Sequence, residues 1–312
     1  MGNVFDRRFL LIPPEHIETA SRERRGNRTI VTHRVRTPKG DLRTVYETED
    51  GVTTTWCTEP LLKDQADAER ILSVPFRFDK TDLKPYFADR EKLGGRWLEE
   101  CHVSTPMVSV SHMFQFEQFL EWCLAERPLI EKLIATCFER IYVKLEYLLQ
   151  NGVGPCFWIG GSEQATPPMM SPKLYDDFVV RYDGQLMNLI HKHGGLVHVH
   201  CHGKVRGILD RLLAMGVNML DPVEPPPQGD IEMGEAKAHV DGRITLMGNI
   251  EFVDLEFATP EQMDEKVRRA LCDGGKEHTI LYPSAAAISR LSDRYRDNAI
   301  QYIQSGLEHG RF

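Results

Sequence analysis

No stretch of the 312-residue chain is apolar over the roughly 20 residues a membrane span needs, and Phe9-Leu10-Leu11-Ile12 is too short and poorly flanked for a signal peptide. Basic clusters are equally scarce. The longest, Arg22-Glu23-Arg24-Arg25, sits in a chain of formal net charge −8, which argues against a nucleic-acid groove. There is no Cys-x-x-Cys pair: Cys57, Cys101, Cys123, Cys137, Cys156, Cys201 and Cys272 are scattered and suit a reducing compartment as small buried hydrophobes. Neither Gly160-Gly161 nor Gly274-Gly275 belongs to a Gly-x-Gly-x-x-Gly or P-loop pattern, so nucleotide binding has no motif to rest on. Internal repeats and low-complexity linkers are also missing. These absences leave a cytoplasmic protein that binds no membrane or nucleic acid and meets a small molecule or another protein.

What is present is a core-sized apolar content, 41%, arranged in two styles. From Asn27 to Trp56 the chain is rich in Thr, Val and Tyr and broken at Pro38-Lys39-Gly40-Asp41 and Glu49-Asp50-Gly51, the pattern of antiparallel hairpins. Leu61 to Leu72 reads as a helix. Beyond Gly94 short apolar strands alternate with helices: Thr105–Ser111, Gly154–Ile159, Leu196–His200, Val217–Leu220, Ile244–Met247 and His278–Tyr282 are the expected strands. The expected helices are Phe114–Gln150 with a break near Pro128, Ser171–His193, Val205–Met215, Ile231–Val240, Pro260–Cys272 and Asp293–Gly306. Such alternation implies a parallel sheet covered by helices. The expected fold is α/β, a TIM-type (β/α)8-like barrel body at residues 95–312 lacking its first strands, after an N-terminal hairpin and helical segment at residues 1–94.

In such barrels the residues just past each strand form the active face. The densest chemistry is Leu196-Val-His-Val-His-Cys-His-Gly203, with three histidines and a cysteine in one stretch. Same-face strand neighbours lie roughly 6.6 Å apart, within reach of one zinc ion at about 2.1 Å from each nitrogen. A barrel strand with hydrogen-bonded core histidines is the bland alternative. The other strand ends contribute Glu163, Met169 and Met170, then Asp221 and Glu224, Asn249 and Tyr282. Each acidic residue could cap the following helix, complete a metal set, or act as general acid or base. The candidate catalytic residues are His200, His202, Glu163 and Glu224; the candidate zinc ligands are His200, His202, Glu163 and Asp221; and Met169, Met170, Asn249 and Tyr282 are candidates for holding substrate.

Several segments resemble the uroporphyrinogen decarboxylase superfamily, which includes zinc-dependent methyltransferases acting on methylated corrinoid proteins. They are Thr37-Pro38-Lys39-Gly40 with Trp56 to Lys63, Ser171-Pro172 to Tyr182, His200 to Gly203, Asp221-Pro222-Val223-Glu224 to Asp230, and Gly242-Arg243-Ile244-Thr245-Leu246-Met247-Gly248-Asn249-Ile250. The resemblance implies a barrel and a methyl-transfer enzyme component working with a corrinoid carried by a partner protein. In the methyltransferases the strand-end motif is similar to His-x-Cys-Gly with a later cysteine. Here His202 stands at the first cysteine position, and the later one falls near Pro283-Ser284-Ala285. Any metal would therefore need nitrogen and oxygen ligands. The arginine-rich segment that holds porphyrin carboxylates in true decarboxylases has no counterpart. Metal-free decarboxylation with His200 or His202 as proton donor is the second reading. A non-catalytic accessory subunit is the third; the sheet edge that missing strands would leave has to be covered by a partner, such as a second copy in a homodimer, or by the N-terminal hairpins.

Overall fold

The computed structural model describes residues 12–78, 80–95, 98–285 and 291–311; Phe9-Leu10-Leu11 lie outside them. The chain divides into two compact units, the first Met1–Asp50, Thr54–Gly160 and Leu174–Val197, the second Gly51–Thr53, Gly161–Lys173 and His198–Phe312.

The first unit begins with an antiparallel sheet in the order β1 (Ile17–Arg25), β2 (Arg28–Val35), β3 (Leu42–Glu49) and β4 (Thr55–Glu59). The turns after β2 and β3 fall at the glycine-bearing breaks expected from the sequence, with Gly40 at φ +116°, whereas the turn at Gly26, φ +61°, was not expected. Strand β1 was not expected. Its residues Ser21–Arg25 are polar on both faces and exposed, so no alternation marks them, and cross-strand ion pairs such as Arg34–Glu18 (3.3 Å) and Arg28–Glu47 (2.8 Å) line the sheet instead. The helix Gln65–Leu72 follows, its N-terminus capped by Asp64. The helix Lys84–Leu93 had no signal in the sequence reading; none of its residues is buried.

The same unit holds β5 (Glu100–Val103) paired in parallel with β6 (Cys156–Gly160). Between them run the helices Pro106–Ser111, Phe116–Ala125 and Arg127–Gln150. The expectation of a strand over Thr105–Ser111 is wrong: the strand lies just before it, and Pro106 opens a helix after an extended Thr105. All six residues of that helix are buried, so the segment shows no period by which helix and buried strand could be told apart. The long helix presents Ile130, Leu133, Ile134, Cys137, Ile141, Leu145 and Leu148 to the core at helical spacing, and its break from the preceding helix falls beside Pro128 as expected. The expected helix Ser171–His193 comes as Pro172–Tyr175, a π-helical turn Asp176–Val180, and Arg181–Lys192.

The second unit carries the end of β7 (Leu196–His200), then β8 (Met219–Asp221), β9 (Thr245–Ile250) and β10 (Thr279–Pro283), paired in parallel in that order. After them come the helices Leu209–Met215, Met233–Val240, Phe252–Phe257 with Pro260–Gly274, and Asp293–His309. Ile250, Leu255, Ala258, Met263, Val267 and Ala270 form a core against Leu281, Tyr295, Ala299 and Tyr302, each large apolar side chain contributing about 1.5–3 kcal/mol on burial. Asn298, fully buried, donates from Nδ2 to the carbonyls of Leu255 (3.0 Å) and Ala258 (2.7 Å), satisfying the end of the short helix. Leu281 therefore faces this core. By alternation Ile280 and Tyr282 face the other way, and the register Tyr282↔Asn249 puts Asn249 beside them. Among the described residues no helix is long and apolar enough to cross a membrane.

Candidate functional site

All the singled-out polar residues past β7, β8 and β9, and Glu163, belong to the second unit. The register pairs His198 with Met219 and His200 with Asp221, so both histidines share a strand face with Asp221. Asp221 is almost fully buried. Its Oδ1 lies 2.7 Å from His198 Nε2, and its Oδ2 accepts from His200 Nδ1 at 2.9 Å. Burial alone would raise this carboxyl, but hydrogen bonds from the two imidazoles outweigh it and hold Asp221 below its ordinary value.

The strand ends at His200, yet the chain keeps His202 close. Gly203, at φ +80°, turns the backbone so that its N–H donates to Glu224 Oε2 (2.6 Å), while His202 Nδ1 donates to Glu224 Oε1 (3.0 Å). The two imidazole rings meet edge to face with centroids 4.6 Å apart. His200 is 20% exposed and His202 35%, so both are open to a ligand. The Glu224 hydrogen bond, followed by the charges of Glu224, Glu163 and Asp221, raises the His202 pKa against the opposing effect of burial. Each Nδ1 is thus occupied by a carboxylate, Asp221 for His200 and Glu224 for His202.

The remaining candidates fall around this pair. Glu163 sits on a 3₁₀ turn tied to β7 by Gly161 N donating to His200 O (3.3 Å), and its Oε2 is buried with no hydrogen-bond partner. Cys201 is buried; burial and the nearby carboxylates push its thiol far up, so it stays a neutral thiol. Asn249 and Tyr282 lie side by side on neighbouring strands. Met170 is buried and Met169 50% exposed. Gly248, at φ +155°, lets β9 approach the turn after β8: a Cβ there would lie 2.9 Å from Val223 O.

One further acid, in the strand-end segment Gly248-Asn249-Ile250-Glu251, is not among the candidate residues. Glu251, at the N-terminus of the helix Phe252–Phe257, is only 6% exposed; its Oε2 accepts from Ser284 Oγ (3.3 Å), while Oε1 is buried without a partner. Burial first, then the charge of Glu224, pushes it up to about 7. Its place after β9 on the active face was the available signal, hidden because an acid at a helix start reads as a cap.

The four expected zinc ligands do not form a ligand set as placed. Both oxygens of Asp221 are turned to imidazoles, Glu224 spans His202 and Gly203, and among the described residues no three His, Cys, Asp or Glu side chains form a group that could hold a metal ion. The pairs do have the orientation of carboxylate-supported metal histidines, but two nitrogens are fewer than the three protein ligands a catalytic zinc site supplies. What the arrangement can do unaided is move protons. His202, its pKa raised beside Glu224, is the proton carrier, and Asp221 holds the neighbouring His200 ring through Nδ1.

Comparison with known proteins agrees with the architecture. The structure is similar to that of a methyltransferase from Methanosarcina mazei, with a TM-score of 0.60 and 18% sequence identity over 82% of this chain and 73% of that one, a likeness of fold. No curated protein sequence matches. The model of the family described as uroporphyrinogen decarboxylase (URO-D) matches residues 90–286, which is more than half of the 312 residues and covers β5 to β10. The alternating strands and helices, read from the sequence as a TIM-type barrel, are thus those of the uroporphyrinogen decarboxylase family, to which this chain belongs.

Proposed function

We propose that the chain is a methyl-transfer enzyme that works on a methylated small molecule, with His202 delivering a proton to the atom that loses the methyl group. The observation that carries this reading is the pair of imidazoles each held through Nδ1 by a buried carboxylate, His200 by Asp221 and His202 by Glu224. As the bond between the methyl carbon and its oxygen breaks, the oxygen keeps the electron pair and takes the Nε2 proton of His202. Glu224 favours the imidazolium before transfer and fixes the ring afterwards. His200, held through Nδ1 by Asp221, meets the His202 ring edge to face and helps fix its position. A corrinoid carried by a separate protein would supply the methyl acceptor; no residue here is assigned to hold it. Zinc has no step in this mechanism, since the donor set does not fit it.

The electrostatics favour this reading over decarboxylation of a polycarboxylate. Asp221 and Glu224 contact the imidazoles, Glu163 and Glu251 add negative charge felt by or feeling His202, and among the described residues none of the four is ion-paired with a lysine or arginine. Such a site repels carboxylates. The test is to incubate the protein with ¹³C-methoxylated donors and a free reduced corrinoid, following the methyl signal by NMR. Transfer by the wild type with a loss of about 10²-fold or more in His202→Gln is expected. Turnover of uroporphyrinogen with no methyl transfer would replace the proposal by the decarboxylase.

A further inference from the structure

We infer that the sheet face continuous with His200 is the floor of the substrate site and seats a planar aromatic ring, so that the methyl donor is a neutral aryl methyl ether. This deepens the proposed function and rests on the same histidine pair.

The parallel register sets out this face residue by residue, all within the second unit. His198 and His200 on β7 pair with Met219 and Asp221 on β8, and Met219 pairs with Thr245 on β9. The ladder runs on to Val223 N donating to Met247 O at 2.9 Å, so Met247 stands beside Asp221. Met247 and Asn249 in turn pair with Ile280 and Tyr282 on β10. Because alternate residues share a face, His200, Asp221, Met247 and Ile280 form one row, with Asn249 and Tyr282 in the row nearer the strand ends. Neighbouring strands lie about 4.8 Å apart, which puts Met247 about 10 Å from His200 along the row. His202 joins the same end, its ring centroid 4.6 Å from that of His200.

The two faces of the sheet differ. Leu220 and Leu246, on the helix side, are fully buried, whereas on the histidine face Ile280 is 40% exposed and Tyr282 37%, with Met247 alongside. An apolar and aromatic surface that is open to solvent and ends in a proton-delivering pair has the composition of a small-molecule site. Tyr282 and Met247 suit an aromatic guest, the phenol by ring packing and the thioether at the ring edge. Asn249 brings a neutral amide for a ring substituent. Asp221 and Glu224 against the imidazoles, with no lysine or arginine of the described residues paired to them, disfavour a carboxylate on that ring. The leaving oxygen points the same way. In the proposed reaction it keeps the bonding pair and takes the His202 proton, while the methyl carbon gains the electron pair of the external acceptor. A phenolic oxygen, whose acid has a pKa of about 10 as in tyrosine, does this far more readily than an alkyl oxygen of about 16, close to water.

Anisole, methoxycyclohexane and methoxyethane share the methoxy group and differ in the ring, and methoxybenzoate adds a charge. Each is titrated into the EDTA-treated full-length protein carrying ¹³C-methionine methyl groups, without corrinoid, and the Met247 signal, assigned through Met247→Leu, is followed by NMR. Anisole should bind at least about threefold more tightly than methoxycyclohexane and about tenfold more tightly than methoxyethane or methoxybenzoate, moving the Met247 methyl by its ring current. Tyr282→Ala, which truncates a part-exposed side chain and spares the core, should weaken anisole about fivefold and leave methoxyethane unchanged. Equal binding of anisole and methoxycyclohexane, preference for methoxybenzoate, an unmoved Met247 methyl, or anisole binding unchanged in Tyr282→Ala overturns the ring floor. So does a Met247 methyl that shifts on diluting the protein instead of on adding anisole, which gives the face to a second copy. The ranking on the wild type needs no variant to fold. Because no turnover is measured, a protein that seats anisole here but transfers no methyl group refutes only the proposed reaction, and methyl transfer without this ranking refutes only the ring floor.

Discussion

Glu251→Gln should stabilise the protein at alkaline pH and leave it nearly unchanged in acid. Glu251 is buried, and its carboxyl is raised from 4.5 to about 7. Such a displacement corresponds to about 3 kcal/mol that the fold forfeits by keeping this acid out of water. The sign follows from which form folding opposes. Below about pH 4.5 the carboxyl is protonated whether folded or unfolded, and its stabilising contribution is fully present. As pH climbs towards 7 the unfolded chain ionises first, stability falls, and above 7 the loss is constant. Glutamine copies the neutral carboxyl and cannot ionise. Urea unfolding of both proteins at about pH 4.5 and about pH 8 measures the effect, provided both transitions are two-state. The variant should gain up to about 3 kcal/mol on the wild type at the higher pH and little at the lower. An equal difference at both values, or a variant less stable at pH 8, would refute the placement of Glu251 as a buried, repelled acid.

Three other perturbations probe the surrounding contacts. Glu224→Gln should lower the His202 pKa towards 6.5, seen in imidazole NMR titration; because the folded pKa is raised, the wild-type advantage of about 1 kcal/mol, discounted for a ring a third exposed, should be present below pH 6.5 and fade as pH rises through the folded value. Asp221→Asn should cost about 2–4 kcal/mol by leaving buried imidazole N–H groups poorly met, and the gap should close in acid as wild-type Asp221 takes its proton below 3.8. A gap that widens in acid would contradict the assignment. Asn298→Ala should cost about 2–3 kcal/mol in chemical unfolding, since it strips two buried carbonyls of their donor without touching the site; a change under about 0.5 kcal/mol would mean water replaces the amide.

Much of this architecture can be read from residues alone. The apolar segments that become β6 to β10 are short, bounded by turn residues and followed by helical spacing, so their alternation is visible without contacts. Pattern fails where a segment is uniform. Pro106–Ser111 is buried on every side and β1 is polar on both, so neither carries the period of its structure. The cluster of His198, His200 and His202 was plain, as was its place at a strand end. Its pairing was not, because the carboxylates come from 21 and 22 positions further along the chain and only the parallel register brings Asp221 against His200. That register also turns Asp221 from an expected ligand into the partner of two imidazoles. The place of Glu251 at a strand end is legible, but its burial and the influence of Glu224 on it are not, because both arise from tertiary packing.

Transfer of a ¹³C-methyl group to a free reduced corrinoid, by EDTA-treated protein, tests most directly whether the carboxylate-held imidazoles do chemistry. The wild type should transfer the label without added metal, with His202→Gln slower by about 10²-fold or more. Transfer that appears only on adding zinc, or that survives undiminished in His202→Gln, would contradict it.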